Sequence, residues 1–103
     1  MDNVSSELLE KFKRRMHFSH SSEDDNLKEL LSLSIEAITD MIGPNVDIDN
    51  NAGARTLVIE RTRYAYNDSL EFFLENFSKE ISTVQLKYAL AEQKEDDENE
   101  IQV

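Results

Sequence analysis

Apolar side chains return at helical intervals along most of this chain. Leu8, Leu9, Phe12 and Met16 share one face, and Ser5 or Ser6 stands where a helix cap belongs. Glu7 and Glu10 fall in the first turns, where the helix dipole favours acids; Lys11, Lys13, Arg14 and Arg15 cover much of the rest. A polar break follows from His17 to Ser22. Ser22-Glu23-Asp24-Asp25 then reads as a capping-box variant with Asp in place of Glu or Gln. The helix it opens carries the clearest stripe in the chain: Leu27, Leu30, Leu31, Ser34, Ile35, Ile38, Met41 and Ile42. Gly43-Pro44 should stop it, since glycine suits the left-handed C-cap and proline cannot continue the hydrogen-bond ladder.

After an Asn- and Asp-rich loop from Asn45 to Gly53, the pattern predicts a long third helix from Ala54 to about Ser82, with a break near Asn76. Leu57, Arg61, Tyr64, Ala65, Asp68 and Phe72 lie on one line of it, and Val58, Thr62, Ala65, Ser69, Phe72 and Phe73 on a neighbouring line. So much apolar circumference predicts a central helix contacted on several sides, with Tyr64, Ala65 and Phe72 in the core. Ser82 to Leu90 fits two periods. Val84, Leu86, Tyr88 and Leu90 alternate as in a strand that would pair with another molecule, while Ile81, Val84, Tyr88 and Ala91 fit a helix. The expectation is an all-α fold: a small bundle of three to four helices with one long central helix, residues 1–91, followed by a flexible acidic C-terminal tail, residues 92–103.

Composition narrows this picture. The 103 residues include only two glycines and one proline, too few for the turns of an all-β domain. A chain of this length buries a modest share of its surface, so association would help stabilise it. There is no cysteine, which excludes disulfides, thiolate metal sites and cysteine nucleophiles. No apolar run approaches the ~20 residues of a membrane span, and Met1 to Ser6 lacks a signal-peptide layout, so an intracellular soluble protein is expected. The net charge of −11 disfavours a free-standing duplex-DNA binder. Glu92 to Glu100 carries −5 and Lys11 to Arg15 carries +4, and setting both aside leaves −10. Acidity is therefore general and the basic segment is the exception. That segment is either a solvated face near a helix C-terminus or an electrostatic contact with an acidic partner.

Motifs for chemistry are weak. His17 and His20 are three apart but lack the surrounding pattern of a zinc site. Asp47, Asp49 and Asn51 open like a calcium loop, but Ala52 occupies the sharp-turn glycine position and Val58 that of the bidentate glutamate, so a helix-connecting loop is expected. Pairs such as Glu71 and Glu75 have no apolar pocket to raise a carboxyl pKa. Nucleophile-elbow, P-loop and dinucleotide motifs are missing from the sequence. No catalytic, metal or cofactor-binding residue is therefore assigned, and no cofactor is expected. The densest unusual cluster is Arg61, Arg63, Tyr64, Tyr66, Asn67 and Asp68, types favoured at interfaces. For Arg61 and Arg63 an interface and an intrachain pair with Asp68 or a loop acid remain open.

The run from Val58 to Phe73, with Glu75-Asn76-Phe77 and Glu80-Ile81, resembles the long-helix signature of tailed-phage head–tail connector proteins, also called adaptor or head-completion proteins. The short opening helix, the Ser-Glu-Asp-Asp start and the helix ending in Ile-Gly are similar in layout, so the resemblance spans roughly Leu8 to Leu90. It implies a helical bundle without enzymatic activity, assembled as a dodecameric ring. Such a ring binds the portal protein on one side and a stopper or tail-completion protein on the other. It extends the channel through which DNA passes without specific binding. The expected location is the head–tail interface of a virion assembled in the host cytoplasm, with no membrane partner. Candidate subunit or partner contacts are Lys11, Lys13, Arg14, Arg15, Arg61, Arg63, Tyr66 and Asn67, with Val84, Leu86, Tyr88 and Leu90 facing portal or stopper. Two other classes stand beside this reading. One is an acidic DNA mimic that inhibits a DNA-processing enzyme, and the other is a helix-turn-helix regulator using Arg55, Arg61 and Arg63.

Overall fold

The computed structural model describes residues 4–101, and side chains as far as Lys94. Among the described residues five α-helices follow one another: α1 Ser6–Met16, α2 Asp24–Ile42, α3 Ala52–Tyr66, α4 Phe73–Asn76 and α5 Ser78–Ile101, with a 3₁₀ turn at Leu70–Phe72 before α4. There is no strand among the described residues.

Local chemistry explains most boundaries. Ser5 caps α1 by accepting the Leu8 N–H at 3.0 Å. The chain leaves α1 through His17 in the left-handed region (φ 62°), with Phe18 N–H donating to the Lys13 carbonyl at 2.8 Å and His17 N–H to that of Arg14 at 3.2 Å. This is a Schellman ending built without glycine. The capping box expected at Ser22 does not form. Helix α2 starts at Asp24 without a side-chain cap, and the Ser22 hydroxyl pairs with His20 Nδ1 at 2.8 Å instead. Gly43 ends α2 where the sequence indicates, but at φ 154° and ψ 155° and not in the left-handed helical conformation expected of it. Asp47, Asp49 and Asn50 hydrogen-bond among themselves in the connecting loop, and Asn51 caps α3 by accepting the Ala54 N–H at 3.1 Å.

The expected long third helix is divided into α3, the short α4 and the start of α5, with a turn between α3 and α4. Helix α3 stops because Asp68 adopts φ 55°, which a short polar side chain tolerates better than most. Ser69 N–H then reaches the Tyr64 carbonyl at 2.8 Å and Asp68 N–H that of Ala65 at 3.2 Å, a second Schellman ending without glycine. The expected break near Asn76 is also present, between α4 and α5. The double turn swings Phe73 into the core and leaves Phe72, expected inside, more than half exposed.

The central element is α2, which packs against α1, α3 and α5. Its stripe is buried at Leu27, Leu31, Ser34, Ile35, Ile38 and Ile42. Leu8, Leu9 and Phe12 close the core from α1, Leu57 and Val58 from α3, Phe73 from α4, and Ile81 and Val84 from α5. Those last two positions decide the ambiguous segment. Residues 83–91 are helical and not extended, because the helical period puts Ile81, Val84 and Tyr88 against the bundle together. The cost is that Leu86 and Leu90 face outward.

The backbone of α5 continues as helix through residues 92–101, where the sequence suggested a disordered tail; the last two residues lie outside the described residues. No glycine or proline interrupts the chain after Gly53, and Glu, Lys, Gln and Ala favour helix. At 24 residues α5 is about 36 Å long, which draws the molecule out to 54 × 28 × 18 Å. Its radius of gyration is 15.3 Å, against about 13 Å for a compact chain of this length. Among the described residues, the buried core ends at Val84 and its last partly buried neighbour is Tyr88, both before Gln93, so the segment Gln93 to Val103 is expected to be dispensable for folding. The truncated chain should unfold cooperatively with a midpoint within about 4 °C of the full chain, the range expected for a surface change. Thermal circular dichroism checks this, and a broad transition would contradict it.

Candidate interaction surfaces

Most charged residues singled out in the sequence are used inside the chain. Glu60 is nine-tenths buried and joins two helices: it accepts from Arg15 Nε at 3.1 Å and from Arg63 Nε at 2.7 Å. Arg63 also lies 5.0 Å from the centre of the Tyr64 ring, so its partners are Glu60 and an aromatic face, not Asp68. Arg61 donates to the buried Ser34 hydroxyl at 3.1 Å, and burial draws its pKa below the ordinary value by disfavouring the charged form. Lys13 is buried, with its ammonium 2.9 Å from a solvent-shielded oxygen of Asp24 at the first turn of α2. Asn67 caps its own helix by donating to the Arg63 carbonyl at 2.9 Å. Val84 is core, and the Tyr88 hydroxyl accepts the Asn45 N–H at 3.1 Å.

Tyr66 donates to the Glu23 carboxylate at 2.9 Å and meets the Phe18 ring edge-on at 5.3 Å, tying the end of α3 to the start of α2. The bond to Glu23, with desolvation and the carboxylate charge behind it, raises the Tyr66 pKa above the ordinary tyrosine value. The neutral phenol is the bonded form. The stability it contributes is therefore complete below the ordinary tyrosine range and is lost as pH rises through the raised value. Absorbance titration at 295 nm should show a late-ionising tyrosine, and Tyr66→Phe should remove that late step. A titration unchanged by the substitution would contradict the assignment.

Four candidates keep an exposed surface without an intrachain partner among the described residues: Lys11 and Arg14, one turn apart on α1, and Leu86 and Leu90, one turn apart on α5. Lys11 and Arg14 flank a shallow groove against α3, of about 510 Å³, with Thr56 and Ile59 on its far wall. A larger groove of about 750 Å³ runs between the start of α3 and α5, lined by Gly53, Leu57, Phe77, Val84, Lys87 and Tyr88 among others. Among the described residues, no group of three His, Asp or Glu is placed to share a metal ion, and no helix is long and apolar enough to cross a membrane.

The chain matches no family model, no curated protein and no solved structure. The surface itself therefore carries the functional argument. It holds more apolar area than the sequence suggested. Leu33 (53% exposed) and Leu70 (38%) border a groove on the outer side of α2, and Phe72 and Leu74 stand out from the turn region. Leu33 was legible as a leucine off the buried stripe of α2. The exposure of Leu70, Phe72 and Leu74 depends on the Asp68 turn, which no glycine announces.

Proposed function

We propose that this protein is a structural assembly subunit, a member of the ring that joins the portal of a phage head to the stopper or tail and prolongs the DNA channel. The observation that carries the reading is the set of unlike outward faces on one small helical unit: the cationic Lys11–Arg14 edge of α1, the Leu86–Leu90 face of α5 and the leucine-bordered groove of α2. A subunit with complementary faces on its two sides can meet copies head to tail, and such contacts make a ring where the rotation from copy to copy closes. The elongated α5 adds reach beyond the bundle toward a portal or stopper. The acid excess of −11 per copy suits a conduit that lets DNA pass without holding it.

The test is to mix the protein with purified portal rings and image the mixture by electron microscopy. A ring of added density at one pole of the portal is expected. Lys11→Glu with Arg14→Glu should reduce its occupancy while leaving the helical circular dichroism unchanged. A portal that stays bare at saturating protein would overturn the reading.

One observation favours a second reading, the acidic DNA mimic. Asp25, Glu29, Glu36 and Asp40 are exposed along one line of α2, like charges on a strand. Competition with DNA for a DNA-processing enzyme would support it over portal binding.

A further inference from the structure

The outer face of α5 has an unusual composition for this acidic chain. Lys79, Thr83, Leu86, Leu90 and Lys94 follow at spacings of four, three, four and four, one continuous line of a helix, with Lys87 on its border. All six are exposed, since Ile81, Val84 and Tyr88 hold the opposite side against the bundle. Leu86 and Leu90 are 61% and 55% exposed. Between residues 79 and 94 no acid falls on this line; Glu80 lies next to Lys87 at its border, and Glu92 is on the opposite side of the helix.

The outer face of α2 is its complement. Leu30, Leu33 and Ala37, joined by Leu70 and Ala65, line a groove of about 420 Å³ whose polar wall holds Glu36, Asp40 and Arg61, the last bonded to Ser34. Glu36 and Asp40 belong to its lining, and Asp25 and Glu29 continue the same line of α2 toward its N-terminus, at spacings of four, seven and four, all exposed. The acid row from Asp25 to Asp40 and the lysine row from Lys79 to Lys94 each cover fifteen residue steps, about 22 Å of helix axis. Among the described residues none of these seven charges has an ion-pair partner. Lys79, Thr83 and Lys87 rim the groove between α3 and α5, while Leu86 and Leu90 stand out from the bundle, so the leucine ridge does not reach the α2 groove of its own chain.

We propose that the leucine–lysine face of α5 seats in the acid-edged groove of α2 on a second copy of this chain. Leu86 and Leu90 fill the space bordered by Leu33, Ala37 and Leu70, and the lysines run beside the acids. The leucines supply the attraction, and the charge rows set direction and register. Each copy offers one ridge and one groove, so the contact is head to tail and repeats. The ridge is narrow beside the ~1,200 Å² that a stable pair of proteins buries, so the contact is weak for two copies and gains strength when several close on each other. This deepens the ring-subunit reading and rests on it for closure of the ring.

Sedimentation equilibrium of the full chain tests the contact. The average mass of the wild-type protein should rise with concentration toward about 1 mM, the weak range expected of a small interface. L86D/L90D and, separately, L33D should each weaken association by at least about 10-fold while keeping wild-type helical circular dichroism, since all three positions are exposed. The decisive measurement is the mixture. L86D/L90D retains a groove and L33D retains a ridge, so together they should form a dimer and nothing larger. A mixture that stays monomeric, a wild-type chain that is monomeric throughout, or variants that associate like wild type would overturn the proposal. So would wild-type binding to anionic lipid vesicles abolished by L86D/L90D, which would give the face to a lipid surface. Portal binding that survives the loss of this contact leaves the ring reading standing. Self-association by a chain that ignores the portal sinks that reading and keeps the interface.

Discussion

Phe73→Ala is expected to destabilise the domain by about 3–5 kcal/mol, the range for removing a buried aromatic ring from a packed core. Phe73 is 1% exposed and belongs to a helix of only four residues, so α4 has little cooperativity of its own to hold it. The ring stacks on Phe77 at 5.1 Å and meets Tyr64 edge-on at 5.9 Å, while Tyr64 and Phe77 meet at 5.7 Å. These three rings bind the end of α3 to the start of α5 across the double turn. Domains of this size are stable by about 5–15 kcal/mol, so the loss removes a large share of the total. The melting temperature should fall by about 12 °C or more. Phe72 is the control: same residue, next position, exposed, so Phe72→Ala should change stability by no more than about 0.5 kcal/mol. Urea unfolding of both variants decides the matter, and equal effects would mean that the turn is misplaced.

Gly43→Ala should be nearly as damaging, by about 2–5 kcal/mol, from two separate causes. The backbone at Gly43 has φ 154° and ψ 155°, a region that residues with a Cβ avoid. A Cβ there would also overlap the ring of Tyr88, whose hydroxyl holds the Asn45 N–H next to it. The causes separate in a double-mutant cycle. Tyr88→Ala removes the overlap and leaves the backbone strain, so the double variant should be less destabilised than the sum of the single ones. Strict additivity would mean that the ring does not sit over Gly43.

The buried stripe of α2, the Ser5 cap, the stop at Gly43 and the all-helical character were legible because each rests on local rules of spacing and capping. The two Schellman endings were not, because His17 and Asp68 occupy positions that a sequence reader assigns to glycine or asparagine. Missing the second of them fused α3 to its successors and put Phe72 inside in place of Phe73. The partner of Arg63 was equally hidden. Asp68 is nearer the helix end and better exposed, but Glu60, one turn back, is the acid that α1 also reaches through Arg15. The strand-like alternation of Val84, Leu86, Tyr88 and Leu90 misled for a different reason: half of those residues are core and half are surface, and only the position of the bundle tells which. The candidate surface was legible in part. Leu86 and Leu90 were singled out, while most of the arginines proved to be internal fastenings.

The chain has two glycines, and both lie beneath α5: one under the ring of Tyr88, the other where a Cβ would come within 2.8 Å of Val84. Positions 43 and 88 should therefore behave as one genetic unit, and positions 53 and 84 as another. In a library screened for folded protein, alanine at either glycine should survive chiefly in clones whose opposing side chain has shrunk. That pairwise epistasis would trace the seat of the last helix by sequencing alone.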